Sequence, residues 1–307
     1  MFTEEKPYTR NAVMEGFYEG FFQTTDGVRI RYLHKGEGMP ILFLHGWGDD
    51  GDAWMLNAPE FAGDYAVYCL DLRGNGASVA DHGARISRLA ADVHEFIEAL
   101  GAEKVVLVGW SMGCSVIWSY IDLFGEKKIY KVVLDDEPPM LVANPRFTRE
   151  EVLETGTNRM DFWYLVNTCA DHGWLSEEMG AAFAAGFHRG SFGLTEEEAA
   201  GVPDGYAEKM AKRPMWEDVP HQFSADLLKD HLLLDWRDLM PHIQSPVLFL
   251  TGDDSTATTP EVGKWMQKTV PDCTWVRFSK EEYGLHDLCQ TAYRKFNRVM
   301  REFLEDR

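Results

Sequence analysis

Short uninterrupted apolar runs recur along the chain, at 40–44 (Pro-Ile-Leu-Phe-Leu), 66–70 (Ala-Val-Tyr-Cys-Leu), 105–108, 132–134 and 247–250. Runs with no polar alternation suit strands covered on both faces, as in a parallel sheet. Two further β-like runs, 17–23 and 28–33, flank Thr25-Asp26-Gly27, a turn signal, and predict an antiparallel hairpin. Helical spacing lies between the runs. Segment 86–100 sets Leu89, Val93, Phe96, Ile97 and Leu100 on one face, with Gly101 as a C-terminal stop. Segments 116–124 and 262–270 read the same way. After Asp287, Tyr293, Phe296, Val299, Met300, Phe303 and Leu304 form the stripe of an amphipathic helix.

A hairpin followed by β-α alternation predicts an α/β, mostly parallel, doubly wound sheet. The alternation stops after Pro138-Pro139 and resumes at Ile243-Gln244-Ser245-Pro246. Between them the apolar clusters at 162–166, 179–187 and 226–239 suit helices and no strand. The expected organisation is a core of 1–139 and 240–307 with a helical cap, 140–239, inserted between the sixth and seventh strands. The polar stretch 1–13 is expected to be an arm or disordered, and no internal repeat is present.

Composition narrows the class. The 307 residues carry 50 Asp and Glu against 30 Lys and Arg, a formal charge of −20. Such a surface repels phosphate backbones and anionic bilayers, so neither nucleic acid nor membrane is an expected partner. A small-molecule substrate is, with the chain a monomer or homodimer. Five scattered cysteines with no CxxC pair read as free thiols. With no apolar run of membrane-span length and no leader-like N-terminus, a cytoplasmic location is expected.

The chemistry sits at strand ends. The run ending at Val108 leads into Gly109-Trp110-Ser111-Met112-Gly113 and then a helix. A serine on a tight strand–helix turn projects its hydroxyl above the sheet, and the helix N-terminus directs amides at a developing oxyanion. The bland alternative is a glycine-rich turn with an incidental serine; the strand and helix flanks weigh against it. Leu44-His45-Gly46-Trp47-Gly48 follows another strand. An oxyanion needs two N–H donors, and the amides of Trp47 and Met112 are the candidates. His45 reads as a residue that shapes this loop, not as a base. Asp71-Leu72-Arg73-Gly74-Asn75-Gly76-Ala77-Ser78 reads as a scaffold loop braced by an Asp71–Arg73 pair.

In this order HGWG, DLRGNGAS, GWSMG and Gly284-Leu285-His286 resemble the α/β-hydrolase superfamily over about residues 17–139 and 240–305. The resemblance implies that Ser111 is a nucleophile, His286 its base, and that an Asp or Glu orients the base, in the chain order serine, acid, histidine. The common acid site, three residues past Gly252, holds Ser255. The other family site follows the preceding strand, at Leu134-Asp135-Asp136-Glu137. Asp135 is the favoured acid, with Asp136, Glu137, Asp253 and Asp254 left open. A serine at this turn argues against dehalogenase and epoxide-hydrolase chemistry, which in this superfamily starts from an aspartate.

The expected function is therefore hydrolysis of a small to medium, largely apolar ester or lactone through an acyl-serine. Cleavage of a β-diketone C–C bond, cofactor-free perhydrolase or haloperoxidase activity, and a ligand receptor on the same fold are the competing readings. Trp47, Trp110 and, in the cap, Trp163 are candidate substrate contacts. No metal-binding spacing and no nucleotide loop is present, so no metal and no cofactor is expected. Because Asp49, Asp50, Asp52, Asp135, Asp136, Glu137, Asp253, Asp254 and Asp287 all follow strand ends or catalytic loops, an electronegative site mouth is expected.

Overall fold

The computed structural model describes residues 1–141, 200–201, 205–213, 221–255 and 257–306. The described residues form a nine-stranded sheet in the order β1-β2-β3-β5-β4-β6-β7-β8-β9. Its strands are β1 (Lys6–Pro7), β2 (Tyr18–Gln23), β3 (Arg29–Lys35), β4 (Pro40–Leu44), β5 (Ala66–Leu70), β6 (Val105–Trp110), β7 (Ile129–Asp135), β8 (Val247–Gly252) and β9 (Cys273–Phe278). Strands β1 to β3 and the β3–β5 pair are antiparallel; every pair from β5–β4 to β8–β9 is parallel. This is the α/β-hydrolase fold expected from the motifs. Lys6–Pro7 adds a strand that its polar sequence conceals, so the segment expected to be a cap falls between β7 and β8. Residues 8–17 are no loose arm either, since Tyr8, Met14 and Phe17 are buried.

The apolar runs are buried on both faces because successive strand side chains point to opposite layers. Leu42, Leu44, Leu107, Val132 and Phe249 join α2 (Ile86–Leu100) and α3 (Met112–Phe124) in one core. Ile41, Phe43, Val106, Val133 and Leu248 join the other, with Phe296, Met300 and Leu304 of the C-terminal helix. The helices beside the first core also include α5 (His221–Leu232) and α6 (Pro260–Thr269). The opposite layer holds α1 (Ala58–Phe61), α7 (Leu288–Thr291) and α8 (Tyr293–Glu305), and a short α4 (Tyr206–Met210) buries Tyr206 there. Helix α2 ends at Gly101, whose φ of 66° provides the left-handed cap.

The Asp71–Arg73 brace does not form. Asp71 instead accepts from Arg31 at 3.0 Å and from the amides of Gly51 and Ala77. Arg73 turns the other way, to Asp92 at 2.7 Å and Asp26 at 2.8 Å. Strand-end residues two apart would share a side, but the chain leaves β5 at Asp71, so the strand period no longer applies. Each charge then finds a buried partner on a different element.

Candidate active site

Ser111 occupies the turn between β6 and α3 with φ 51° and ψ −123°. A non-glycine residue is held in this sparsely populated region only when its surroundings over-determine it. Here the Ser111 amide donates to the Asp135 carbonyl at 2.9 Å, locking the turn to the neighbouring strand. Gly113 permits the close packing: a Cβ there would lie 2.2 Å from the Leu44 carbonyl oxygen. Although Ser111 stands at the N-cap of α3, its side chain caps no amide, which leaves the hydroxyl for His286.

His286 Nε2 lies 2.9 Å from Ser111 Oγ, and its Nδ1 lies 2.8 Å from Asp136 Oδ2. Burial acts first and pushes the imidazole pKa down. The hydrogen bond to Asp136 and the negative charges of Asp136, Glu137 and Asp287 together outweigh it, and the net shift is above 6.5. The Trp110 indole donates to the His286 carbonyl at 2.9 Å, so the residue before the serine also fixes the turn that carries the histidine.

The carboxylate on His286 is Asp136, not Asp135. Asp135 is the last residue of β7, paired in register with Trp110 and Leu250. Its side chain points into the layer of α7, where it accepts from the Cys289 amide at 3.0 Å. Complete burial, then the adjacent Asp136 charge, push its carboxyl well up. Asp136 comes one residue later, past the end of β7, where the strand period no longer applies. Its φ of 53° turns it toward His286. Three donors hold it: the Gly252 amide at 3.1 Å, and the hydroxyls of Ser255 and Thr258. Ser255 thus stands at the end of β8, where relatives commonly place the acid, and clamps an acid supplied by β7.

The other candidates are engaged elsewhere. Glu137 is buried, with Oε1 2.7 Å from Nε2 of His231 on α5. Asp253 pairs with Arg277 and Asp254 with Lys280 at the surface. His45 is inside the protein: its Nδ1 donates to the Gly46 carbonyl at 2.7 Å and its Nε2 accepts from the Leu72 amide at 2.9 Å. Burial drives its pKa down to about 3, so it is a neutral strut under the loop.

The loop after β4 abuts the serine. A Cβ on Gly46 would be 3.3 Å from Ser111 Cβ and 3.2 Å from the Trp110 ring. Trp47 is buried and its indole donates to the Ser224 carbonyl of α5 at 2.8 Å. Met112 opens α3. Trp163 lies outside the described residues. Seven of the nine acids expected at the mouth (Asp49, Asp50, Asp52, Asp135, Asp136, Glu137 and Asp287) are buried, so they form the interior of the site's scaffold and not a charged rim. The sequence reading missed this because strand-end loops are ordinarily solvated.

The fold and the hydrogen-bonded series serine–histidine–aspartate across three strand ends define an α/β protein able to carry out nucleophilic acyl chemistry. Residues 41–282 match the model described as the alpha/beta hydrolase family, and the chain belongs to that family. It is 35% identical over 152 residues to a non-heme chloroperoxidase of Kitasatospora aureofaciens, covering 46% of this chain and 55% of that protein. The chain spans roughly half or less of the length of the curated relatives it matches first. Among solved structures, a bromoperoxidase from Bacillus anthracis superposes with a TM-score of 0.74 at 23% identity, covering 94% of this chain and all of that one. An esterase from Exiguobacterium antarcticum superposes with a TM-score of 0.73 at 19% identity, covering 93% and 99%. At those identities the superpositions show the fold alone. Among the described residues no helix is long and apolar enough to cross a membrane.

Proposed function

We propose that the protein is a serine hydrolase that cleaves a small to medium, largely apolar carboxylic ester or lactone through an acyl-Ser111 intermediate. The observation that carries this reading is the 2.9 Å contact of Ser111 Oγ with His286 Nε2, continued at 2.8 Å to Asp136. Neutral Nε2 takes the hydroxyl proton as Oγ attacks the acyl carbon. The Met112 and Trp47 amides receive the oxyanion. The imidazolium, paired with Asp136, then protonates the leaving oxygen, and water repeats the sequence to release the acid. We assign the cap to segment 140–239, most of which lies outside the described residues. The α5 contacts to Trp47 and Glu137 support that role.

The test is intact-mass analysis after treatment with a fluorophosphonate. A single adduct on the wild type and none on Ser111→Ala is expected. No adduct on the wild type, or an equal one on Ser111→Ala, overturns the reading. A panel of neutral esters and lactones then assigns the bond. A second reading, peroxide-dependent perhydrolysis at the same serine, draws on the similarity to the non-heme chloroperoxidase. Halogenation that requires both peroxide and a short carboxylic acid, and disappears in Ser111→Ala, would favour it.

A further inference from the structure

Loop 45–52 carries an unusual load of buried charge. Asp49, Asp50 and Asp52 are at most 4% exposed, and Asp71 lies beneath them, fully buried. One cation of the core, Arg31, bonds Asp71 at 3.0 Å and Asp52 at 3.3 Å. Asp52 is further held by the Tyr8 hydroxyl and the Asn11 amide group. Asp49 and Asp50 otherwise accept from backbone amides, those of Asp50 and Asp52. Their guanidinium partner comes from far along the chain. Arg213, just past α4 and itself buried, donates to Asp49 and, at 3.2 Å, to Asp50 Oδ1. A few residues further on, α5 takes the Trp47 indole on the Ser224 carbonyl. Two segments from between β7 and β8 thus grip a loop that abuts Ser111.

We propose that Arg213 is a positioning residue: by neutralising Asp49 and Asp50 it holds loop 45–52 inward, so that the Trp47 amide stays aimed at the oxyanion. The proposal rests on the acyl-serine reading for the oxyanion, but not for the loop. Two adjacent carboxylates stripped of their cation cannot both stay buried and ionised. Unless they take up protons, they reach water by the loop swinging away from Ser111. The penalty falls on the tetrahedral state, because ground-state binding does not use the amide.

The experiment has two arms. Hydrogen exchange of amides 46–52 is compared among wild type, Arg213→Lys, Arg213→Met and the triple variant Arg213→Met/Asp49→Asn/Asp50→Asn, which has no charge at these positions. Faster exchange confined to this loop in Arg213→Met, restored in the triple variant, is expected. Unchanged protection overturns the proposal whether or not the protein is a hydrolase. In the second arm, kinetics on a p-nitrophenyl ester are normalised to fluorophosphonate-titrated sites. Arg213→Met should lower kcat about 100-fold with little change in KM. Binding of a trifluoromethyl ketone, which forms the tetrahedral adduct, should weaken in step. Arg213→Lys, which retains the charge, should fall in between. Loss of melting temperature with kcat and ketone affinity at wild-type values overturns the positioning role. Absence of any wild-type adduct instead removes the hydrolase reading and leaves the exchange arm to decide the loop.

Discussion

Asp135 and Asp136 are neighbours in the chain, but β7 ends between them, and Asp135 meets the Cys289 amide while Asp136 meets His286. In the proposed mechanism Asp136→Asn removes the charge that stabilises the imidazolium and disturbs the tautomer that Ser111 needs. Its kcat should fall on the order of 10³–10⁴-fold with the fold intact. Asp135→Asn keeps an oxygen for the Cys289 amide and touches no reacting atom, so its kcat should stay near wild type. Ester kinetics on site-titrated enzyme check both. The acid limb of kcat/KM tests the same geometry. In the proposed mechanism activity requires neutral His286 and should be lost as pH falls through its pKa, which lies above 6.5 in this site. In Asp136→Asn burial acts with less opposition, so the residual activity should persist to lower pH. A limb that stays in place would assign it to another group.

At the scale of elements, strands β4 to β8 and helix α2 were legible because continuous apolar runs and a 3.6-residue stripe report burial directly. The serine was legible because it sits at a βα turn whose glycines reveal the turn, and the histidine because its place before the last helix resembles the superfamily's. The acid was not. A single sequence shows which strand end is rich in carboxylates, but the choice between Asp135 and Asp136 depends on where β7 stops, and β7 runs through Asp135. Lys6–Pro7 escaped notice because a two-residue edge strand carries no periodicity. Ser255 was visible as a departure from the family pattern, and its role as a clamp follows from the meeting of β7 and β8. That meeting predicts a transplant. Asp136→Ser should be nearly inactive, and adding Ser255→Asp should recover at least about tenfold in kcat/KM, because position 255 already reaches the carboxylate oxygen that meets His286. Ser255→Asp alone sets like charges together and should lose both activity and stability. The close approach of α3 to β4 gives a second test. The methyl group of Gly113→Ala meets backbone, not a movable side chain. It should cost about 1–3 kcal/mol in urea unfolding and lower kcat by shifting Ser111 from the loop.

For the whole molecule, the charge of −20 divides into a screened surface part and a buried part, and pH and salt separate them. Asp287 belongs to the second. It is buried, neither carboxylate oxygen has a hydrogen-bond partner among the described residues, and burial raises its pKa from 3.8 to about 7. Below pH 3.8 both folded and unfolded chains hold this proton, and its contribution to stability is complete. As pH rises the unfolded chain ionises first, so stability falls until the folded carboxyl also titrates near 7, a loss on the order of 4 kcal/mol. Surface repulsion grows over the same interval and has the same sign. It is screened at about 0.5 M salt, whereas a fully buried carboxyl is not. Urea unfolding from pH 4 to 8 should therefore retain a decline in wild type at high salt, and Asp287→Asn should make it shallower by its own share, the part left being that of the other buried carboxyls that burial raises, Asp135 and Asp50 among them. If salt alone flattens the wild-type profile, surface charge carries the dependence and Asp287 ionises within the fold without penalty.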